Sequence, residues 1–416
     1  MPAPPMVADS GGFDGQTAKI CDRTQESERL ASQLVHFVAN RYEEHNLKRI
    51  LMVGPVPPPY GGIASLMDDI VNSSLSEEYS FEVFERSGVF PRDAQGFLGR
   101  NVFRLRRFAR FFHKVISGRF SIVHIHSADP AFLGTTIIML LARLARVKIL
   151  LHMHGTDWDS FYPEAPWFTK LYTRLGLCLP NTIVVLYSLW RDNIKRLGTS
   201  ARVIVLRNFI HNSAPPPRDQ VELAVKTLDL EPGNFVVVTV GTVGWRKGCF
   251  DILKAVRRVV TEEPTVRFVM VGGEEKPGEW QQLTDIIIRD DLARWVRMTG
   301  EVDREKIPLY LALADVFLLP SYIEGMPVAI IEAMRSGLPV ISTRVNAIPD
   351  MIEQEVSGLL INPGASDEIA DAVLRLKRDP ELRNSIRSGA RSCFIEKFEF
   401  SRGVENLRTF YRDLLT

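Results

Sequence analysis

Short, uninterrupted apolar runs recur along the chain at 49–53, 81–84, 121–126, 148–154, 181–186 and 203–206, then at 235–240, 266–271, 296–298, 316–319, 340–341 and 358–361. Runs without alternation fit strands covered on both faces, as in a parallel sheet. Between them lie segments of helical period. They open near Ile63 and at Ser188, and they span 97–120, 131–142, 250–260, 309–314, 367–377 and 401–414. In the last of these, Val404, Leu407, Phe410, Tyr411 and Leu414 share one face. The strand–helix alternation occurs twice, on either side of a proline-rich linker from His211 to Arg218. That pattern predicts an α/β fold of two doubly wound Rossmann-like domains with the ligand held between them. The first begins near residue 48 and ends near 212; the second begins at 213. Upstream, residues 26–47 are expected to form a helix, with Leu30, Leu34, Phe37, Val38 and Tyr42 on one side. Residues 1–25, rich in Pro, Gly and Asp, are expected to be a disordered tail.

Bulk properties narrow the class only slightly. A chain of 416 residues with 45% hydrophobic and 24% charged residues is ordinary for a globular protein. A net charge of +1 gives no case for nucleic-acid binding. Cys21, Cys178, Cys249 and Cys393 show no paired spacing, which argues against a zinc site or a disulfide scaffold and fits a reducing, cytoplasmic setting. The N-terminus lacks a signal-peptide pattern, and the apolar run 131–142 is too short to span a bilayer, so it reads as a core helix. Segment 97–120 is basic and aromatic, with Arg104, Arg107 and Arg110 among its cations. Two readings stay open: a helix lying on an anionic membrane surface, or a core-facing helix with a solvated basic side.

The chemistry concentrates at loops that follow strands. After the run 316–319 comes Ser321-Tyr-Ile-Glu-Gly-Met-Pro327 and then a helix that stops at Gly337. Pro327 suits the first turn, where its missing N–H costs nothing. Glu324 precedes this helix and Glu332 lies within it, roughly 12 Å further along the axis. They are too far apart to share a proton, yet suited to hold two ends of one elongated ligand. Between them the N–H groups of Gly325, Met326 and Val328 face the positive end of the helix dipole, a seat for phosphate. Spacing alone leaves open one loop glutamate and one surface glutamate. Two further loops have the same character. Gly61 and Gly62 follow the first strand, and Gly241-Thr-Val-Gly-Trp-Arg-Lys-Gly248 follows the strand 235–240. His124 and His152 alternate with apolar neighbours and read as packed residues, whereas His126 and His154 stand at strand ends, where α/β sites gather.

The extended motif P-S-x-x-E-G-x-P-x-x-x-x-E-A-M-x-x-G-x-P-V-I, from Pro320 to Ile341, resembles the signature of the retaining glycosyltransferases of family 4. The resemblance implies the GT-B fold, with the last helix (about 398–416) crossing back to the acceptor-side domain, and residues 213–397 forming the donor domain. It implies that Glu324 contacts the donor sugar, Glu332 the ribose, and Val302 the base. Gly61 and Gly62 would face the donor phosphates, and Lys247 in the loop from Gly241 would neutralise the diphosphate. The family commonly carries Arg directly after the first glycine of that loop. Thr242 stands there in this chain, so Arg246 either substitutes or points to solvent. The segment His154-Gly-Thr-Asp157 resembles the acceptor-side motif, which places His154 on the transferring sugar. Asp157 and Asp159 read as loop residues, not as a metal-binding pair.

The implied activity is transfer of a sugar from a nucleotide-diphospho-sugar to a hydroxyl acceptor in polysaccharide or glycolipid biosynthesis, with no cofactor and no metal. A lipid-linked acceptor would bring peripheral contact through 97–120 with the inner face of the membrane. The alternatives on the same fold are a catalytically silent binding subunit, a sugar-nucleotide epimerase and a sugar phosphorylase.

Overall fold

The computed structural model describes residues 47–56, 62–86, 96–129, 133–155 and 158–416. The expected tail and helix upstream of 47, Gly61 and Asp157 lie outside the described residues. Two wholly parallel six-stranded sheets form the scaffold. The first contains β1 (Lys48–Gly54), β2 (Tyr79–Glu85), β3 (Ile122–Ser127), β4 (Lys148–Met153), β5 (Thr182–Val185) and β6 (Arg202–Val205), in the order β2-β1-β3-β4-β5-β6. The second contains β7 (Phe235–Val240), β8 (Val266–Val271), β9 (Val296–Met298), β10 (Val316–Leu319), β11 (Val340–Thr343) and β12 (Gly358–Ile361), in the order β12-β11-β10-β7-β8-β9. β3, β7, β8, β10 and β11 are buried at every position, as their apolar runs require.

The strand orders locate the sites. In each sheet the chain reverses its direction of winding once, between β1 and β3 in the first and between β7 and β10 in the second. Loops leaving the carboxyl ends of strands at such a switch point frame a crevice. The loop at 241–248 leaves β7 and the loop at 320–327 leaves β10. The Gly-rich loop 241–248 and the acidic motif therefore cluster because of topology.

The last helix, Phe400–Leu415, packs on the first sheet. Val404, Leu407, Tyr411 and Leu414 join Ile50, Met52, Leu66 and Ile70 in one buried cluster. The preceding helix, Pro380–Lys397, keeps Ala390 and Phe394 against Ile330 and Met334 of the second half. The crossing is fixed where the Ile210 amide donates to the Phe398 carbonyl at 3.0 Å.

The sequence pattern overlooked helices at Trp158–Glu164, Trp167–Leu177, Glu279–Arg289 and Pro380–Lys397. The last shows why: most of its surface is polar, and it buries only Ile386, Ala390, Cys393 and Phe394. The apolar run expected as a core helix is corrected in part. The helix is Leu133–Leu144, and although Ile138, Met139 and Ala142 are buried, Ile137, Leu140 and Leu144 are exposed. Among the described residues no helix is long and apolar enough to cross a membrane.

Candidate active site

Glu324 sits at the end of a loop held from two sides. Thr343 Oγ1 on β11 donates to the Ser321 carbonyl at 2.6 Å, and Asn346 Nδ2 donates to the carbonyl of Glu324 itself at 2.5 Å. From the other side, the Tyr322 amide donates to the Arg246 carbonyl at 2.8 Å. The Glu324 carboxylate is buried. It accepts from the Lys247 ammonium and from Ser321 Oγ at 2.8 Å, and Arg246 Nη1 lies 4.0 Å from its second oxygen. A buried carboxylate needs such partners, because leaving it unpaired costs several kcal/mol. Two loops from two strands thus meet in one charged pair, at the N-terminal end of the helix Val328–Arg335.

The loop after β7 owes its shape to glycine. Gly248 has φ +74°, and a Cβ there would meet the Pro320 carbonyl oxygen at 2.2 Å. No other residue lets the two loops approach so closely. Lys247 precedes it, and its stem runs beside Gly241, at 3.4 Å from an added Cβ. Thr242 occupies the place of the usual arginine and bonds Glu275 and Arg246, each at 3.4 Å. Arg246 does not point to solvent. Its guanidinium pairs with Glu275 and donates to the Ile323 carbonyl at 3.2 Å, so it reaches the edge of the glutamate loop. Trp245 stacks on Tyr322 with ring centroids 4.5 Å apart. The Tyr322 hydroxyl donates to Asp251 at 2.7 Å, and that bond together with burial pushes its pKa up to about 12.

Two cavities open along this edge. One, of about 180 Å³, is lined by Gly62, His154, Asn208, Arg304, Glu324, Gly325, Met326 and Val328, so both halves of the chain contribute. Pro327 is the N-cap position of the helix. The second, of about 610 Å³, is lined by Ser65, Arg304, Glu332 and Arg335 among others. Arg304 belongs to both. Glu332 is half-buried, and burial raises its pKa against the pull of Arg304 and Arg335. Val302 is half-buried against the apolar core, two residues before Arg304.

The halves also bond directly across this gap. Asn208 Nδ2 donates to the Met326 carbonyl at 3.0 Å, and Arg304 Nη1 donates to Ser65 Oγ at 3.0 Å. Asn208 lines the smaller cavity and makes this bond, so it stands in the cleft. Sequence reasoning missed Arg304, Ser321 and Asn346. Arg304 lies in an unremarkable charged turn, Asn346 acts on a loop distant in sequence, and Ser321 bonds Glu324 within one loop whose folded shape the sequence does not show.

In the first sheet, β3 and β4 run in register, with His126 opposite His152. His126 Nδ1 and His154 Nε2 are 2.9 Å apart, and His124 Nδ1 is 2.8 Å from the Tyr411 hydroxyl. His126 is fully buried, so of the two strand-end histidines only His154 reaches the cavity. Burial holds the pKa of all four rings below the ordinary range. One ring nitrogen from each of His124, His126 and His152 lies within 4.8 Å of the other two, and both nitrogens of His152 have no partner among the described residues.

Two family models match the chain. "Glycosyl transferases group 1" covers residues 222–392, and "Glycosyl transferase 4-like domain" covers residues 78–208. The chain belongs to the group 1 glycosyltransferases.

Among its relatives is the UDP-Gal:α-D-GlcNAc-diphosphoundecaprenol α-1,3-galactosyltransferase of Escherichia coli, 28% identical over 313 residues, which are 71% of this chain and 76% of that one. Another is the N-acetyl-α-D-glucosaminyl L-malate synthase of Bacillus anthracis, 27% identical over 299 residues, with 71% and 75% covered. The fold of this glycosyltransferase matches the Anabaena HepE structure solved with UDP, at TM-score 0.72 and 17% identity, over 88% of this chain and 100% of that one. The two parallel sheets and the returning helix are the GT-B architecture.

Proposed function

We propose that this glycosyltransferase transfers a hexose from a nucleotide-diphospho-sugar to a hydroxyl acceptor, with the anomeric configuration retained. The observation that carries the reading is the Lys247–Glu324 pair at the head of the Val328–Arg335 helix, with Glu332 further along the same helix. In the proposed complex the diphosphate lies against Lys247 and the amides of Gly325, Met326 and Val328. Arg246 and the loop of Gly241 and Thr242 stand behind it, and Gly62 faces it across the cleft. Glu324 holds the sugar, Glu332 the ribose, and the chain near Val302 the base. Pro327 fixes the direction in which the helix sets off.

The bond from the sugar C1 to the phosphate oxygen breaks, and the acceptor oxygen forms its bond to C1 on the same face. The acceptor proton passes to the departing phosphate oxygen. Lys247 and the helix amides stabilise the charge that develops there, work that needs no further ion or cofactor in this reading. His154, held neutral by burial, orients a sugar hydroxyl. The E. coli and Anabaena relatives are named for UDP-sugar or UDP, so uridine is the first base to try. The former acts on a diphosphoundecaprenol-linked sugar, which supports a lipid-linked acceptor here, reached at a membrane surface through the Phe97–Gly118 helix.

The test is turnover of a panel of UDP- and other nucleotide-sugars, in water and with polyprenyl-linked sugars, by wild type and by Glu324→Gln. Glutamine keeps a group beside Ser321, so the melting temperature separates folding from chemistry. The reading predicts release of nucleotide by wild type and a loss of ~100-fold or more in the folded variant. A donor that binds but never turns over would instead favour a silent binding subunit.

A further inference from the structure

Three imidazoles converge beneath the cleft, in the core of the first half. Ring centroids are 4.3 Å apart for His124 and His126, 5.0 Å for His126 and His152, and 5.7 Å for His124 and His152. All three residues are buried. Yet four of their six ring nitrogens, Nε2 of His124, Nε2 of His126 and both of His152, have no hydrogen-bond partner among the described residues. Buried polar atoms are almost always partnered, so four in one cluster require a physical account.

The other two nitrogens are engaged. His124 Nδ1 is 2.8 Å from the Tyr411 hydroxyl, and His126 Nδ1 is 2.9 Å from His154 Nε2. The Tyr411 hydroxyl itself donates to Met52 Sδ at 3.9 Å, which leaves its oxygen free to accept from His124. With a proton on each Nδ1, both Nε2 atoms carry lone pairs. That is the arrangement in which a histidine held at one nitrogen ligates a metal through the other. His152 adds a third lone pair. One water has two hydrogens and cannot serve three acceptors, whereas one cation can. Neutral nitrogen donors with no thiolate or carboxylate select a first-row dication, zinc ahead of magnesium or calcium. Zinc–nitrogen bonds of ~2.0–2.1 Å set tetrahedral ligand atoms about 3.4 Å apart. From a spacing within 4.8 Å, each ring has to move inward by at most about 1 Å.

We infer that His124, His126 and His152 form a zinc site, with water as the fourth ligand. The spacing of the cysteines does not bear on a site built from imidazole alone. The ion enters from the cleft past His154, which lines the smaller cavity and stacks beside His152 and His126. It ties β3 to β4 and, through Tyr411, to the returning helix Phe400–Leu415. Through His126 it also fixes His154. The role is structural and separate from the diphosphate seat, so it does not depend on the transfer reaction proposed above.

Metal analysis and cobalt spectroscopy test the site. Chelator-treated protein should take up one Zn2+ per chain without UDP, and its Tm should rise by ~2 °C or more in excess zinc. Co2+ in its place should show the intense visible bands of four-coordinate cobalt, with no thiolate charge-transfer band. His152→Leu replaces two unpartnered nitrogens with an apolar group. Metal-free, it should melt no lower than metal-free wild type, and zinc should no longer shift it. Tyr411→Phe should weaken cobalt ~10-fold or more, because His124 loses the group that orients it. His211→Ala, which removes an exposed imidazole beside Asp69, should take up zinc as wild type does. Should His152→Leu fail to fold, the wild-type cobalt spectrum and Tyr411→Phe decide. Four results overturn the inference: no zinc uptake by wild type, six-coordinate cobalt, a zinc shift kept in His152→Leu, or cobalt affinity unchanged in Tyr411→Phe. Uptake that requires UDP also overturns it, by putting the ion on the diphosphate. Failure of UDP to bind would count against the donor reading alone.

Discussion

Four imidazoles, from His124 and His126 on β3, His152 on β4 and His154 just after β4, stand side by side, a neighbourhood that follows from strand register. The sequence shows two His-x-His pairs, but it does not show that the strands are adjacent or which residues oppose. Packing was therefore legible for His124 and His152, while the contact of His126 with His154 was not. The array carries a sign. Rings held neutral by burial have pKa values below the ordinary ~6.5, so below that pH the unfolded chain takes up protons that the fold refuses. Stability is then full above pH ~6.5 and falls as acid is added, by at most ~1.4 kcal/mol per pH unit for each ring. Urea midpoints should drop between pH 7.5 and pH 5.5. A flat profile would show that the rings can charge in place. His126 also fixes which nitrogen of His154 is engaged, leaving the other for the cleft.

At the level of elements, the strand–loop–helix units around β7 and β10 were the most legible part of the chain. Each begins in a fully buried apolar run and turns on glycine or proline, so local pattern and fold agree. What stayed hidden was the way the two loops lock together, through Gly248 against Pro320 and Tyr322 against Arg246 and Asp251. Gly248→Ala combines a left-handed backbone with a clash on a carbonyl, so we expect a loss of ~2–4 kcal/mol. Because Lys247 is its neighbour, nucleotide affinity should fall as well. Calorimetric melting with and without UDP checks both, and an unchanged melting temperature would mean that the loops are not wedged against each other. The Pro380–Lys397 helix remained unread for the opposite reason. It is long and regular, but its buried stripe is sparse.

Over the whole molecule, strand order makes the site. The switch point of the second sheet brings the loops at 241–248 and 320–327 to its carboxyl edge, and Arg304, Asn208 and Met326 join the halves across the gap. Two α/β units were legible from the double alternation. Their mutual orientation was not, because the bonds that set it pair single residues far apart in the chain. The central claim is that one donor lies along this crevice, phosphates toward Lys247 and ribose toward Glu332. Its most direct test is a matched titration of UDP and uridine into wild type, Lys247→Met and Glu332→Ala. The account predicts that Lys247→Met weakens UDP ~10-fold or more while sparing uridine, and that Glu332→Ala weakens both alike. Wild-type affinity for UDP in both variants would contradict it.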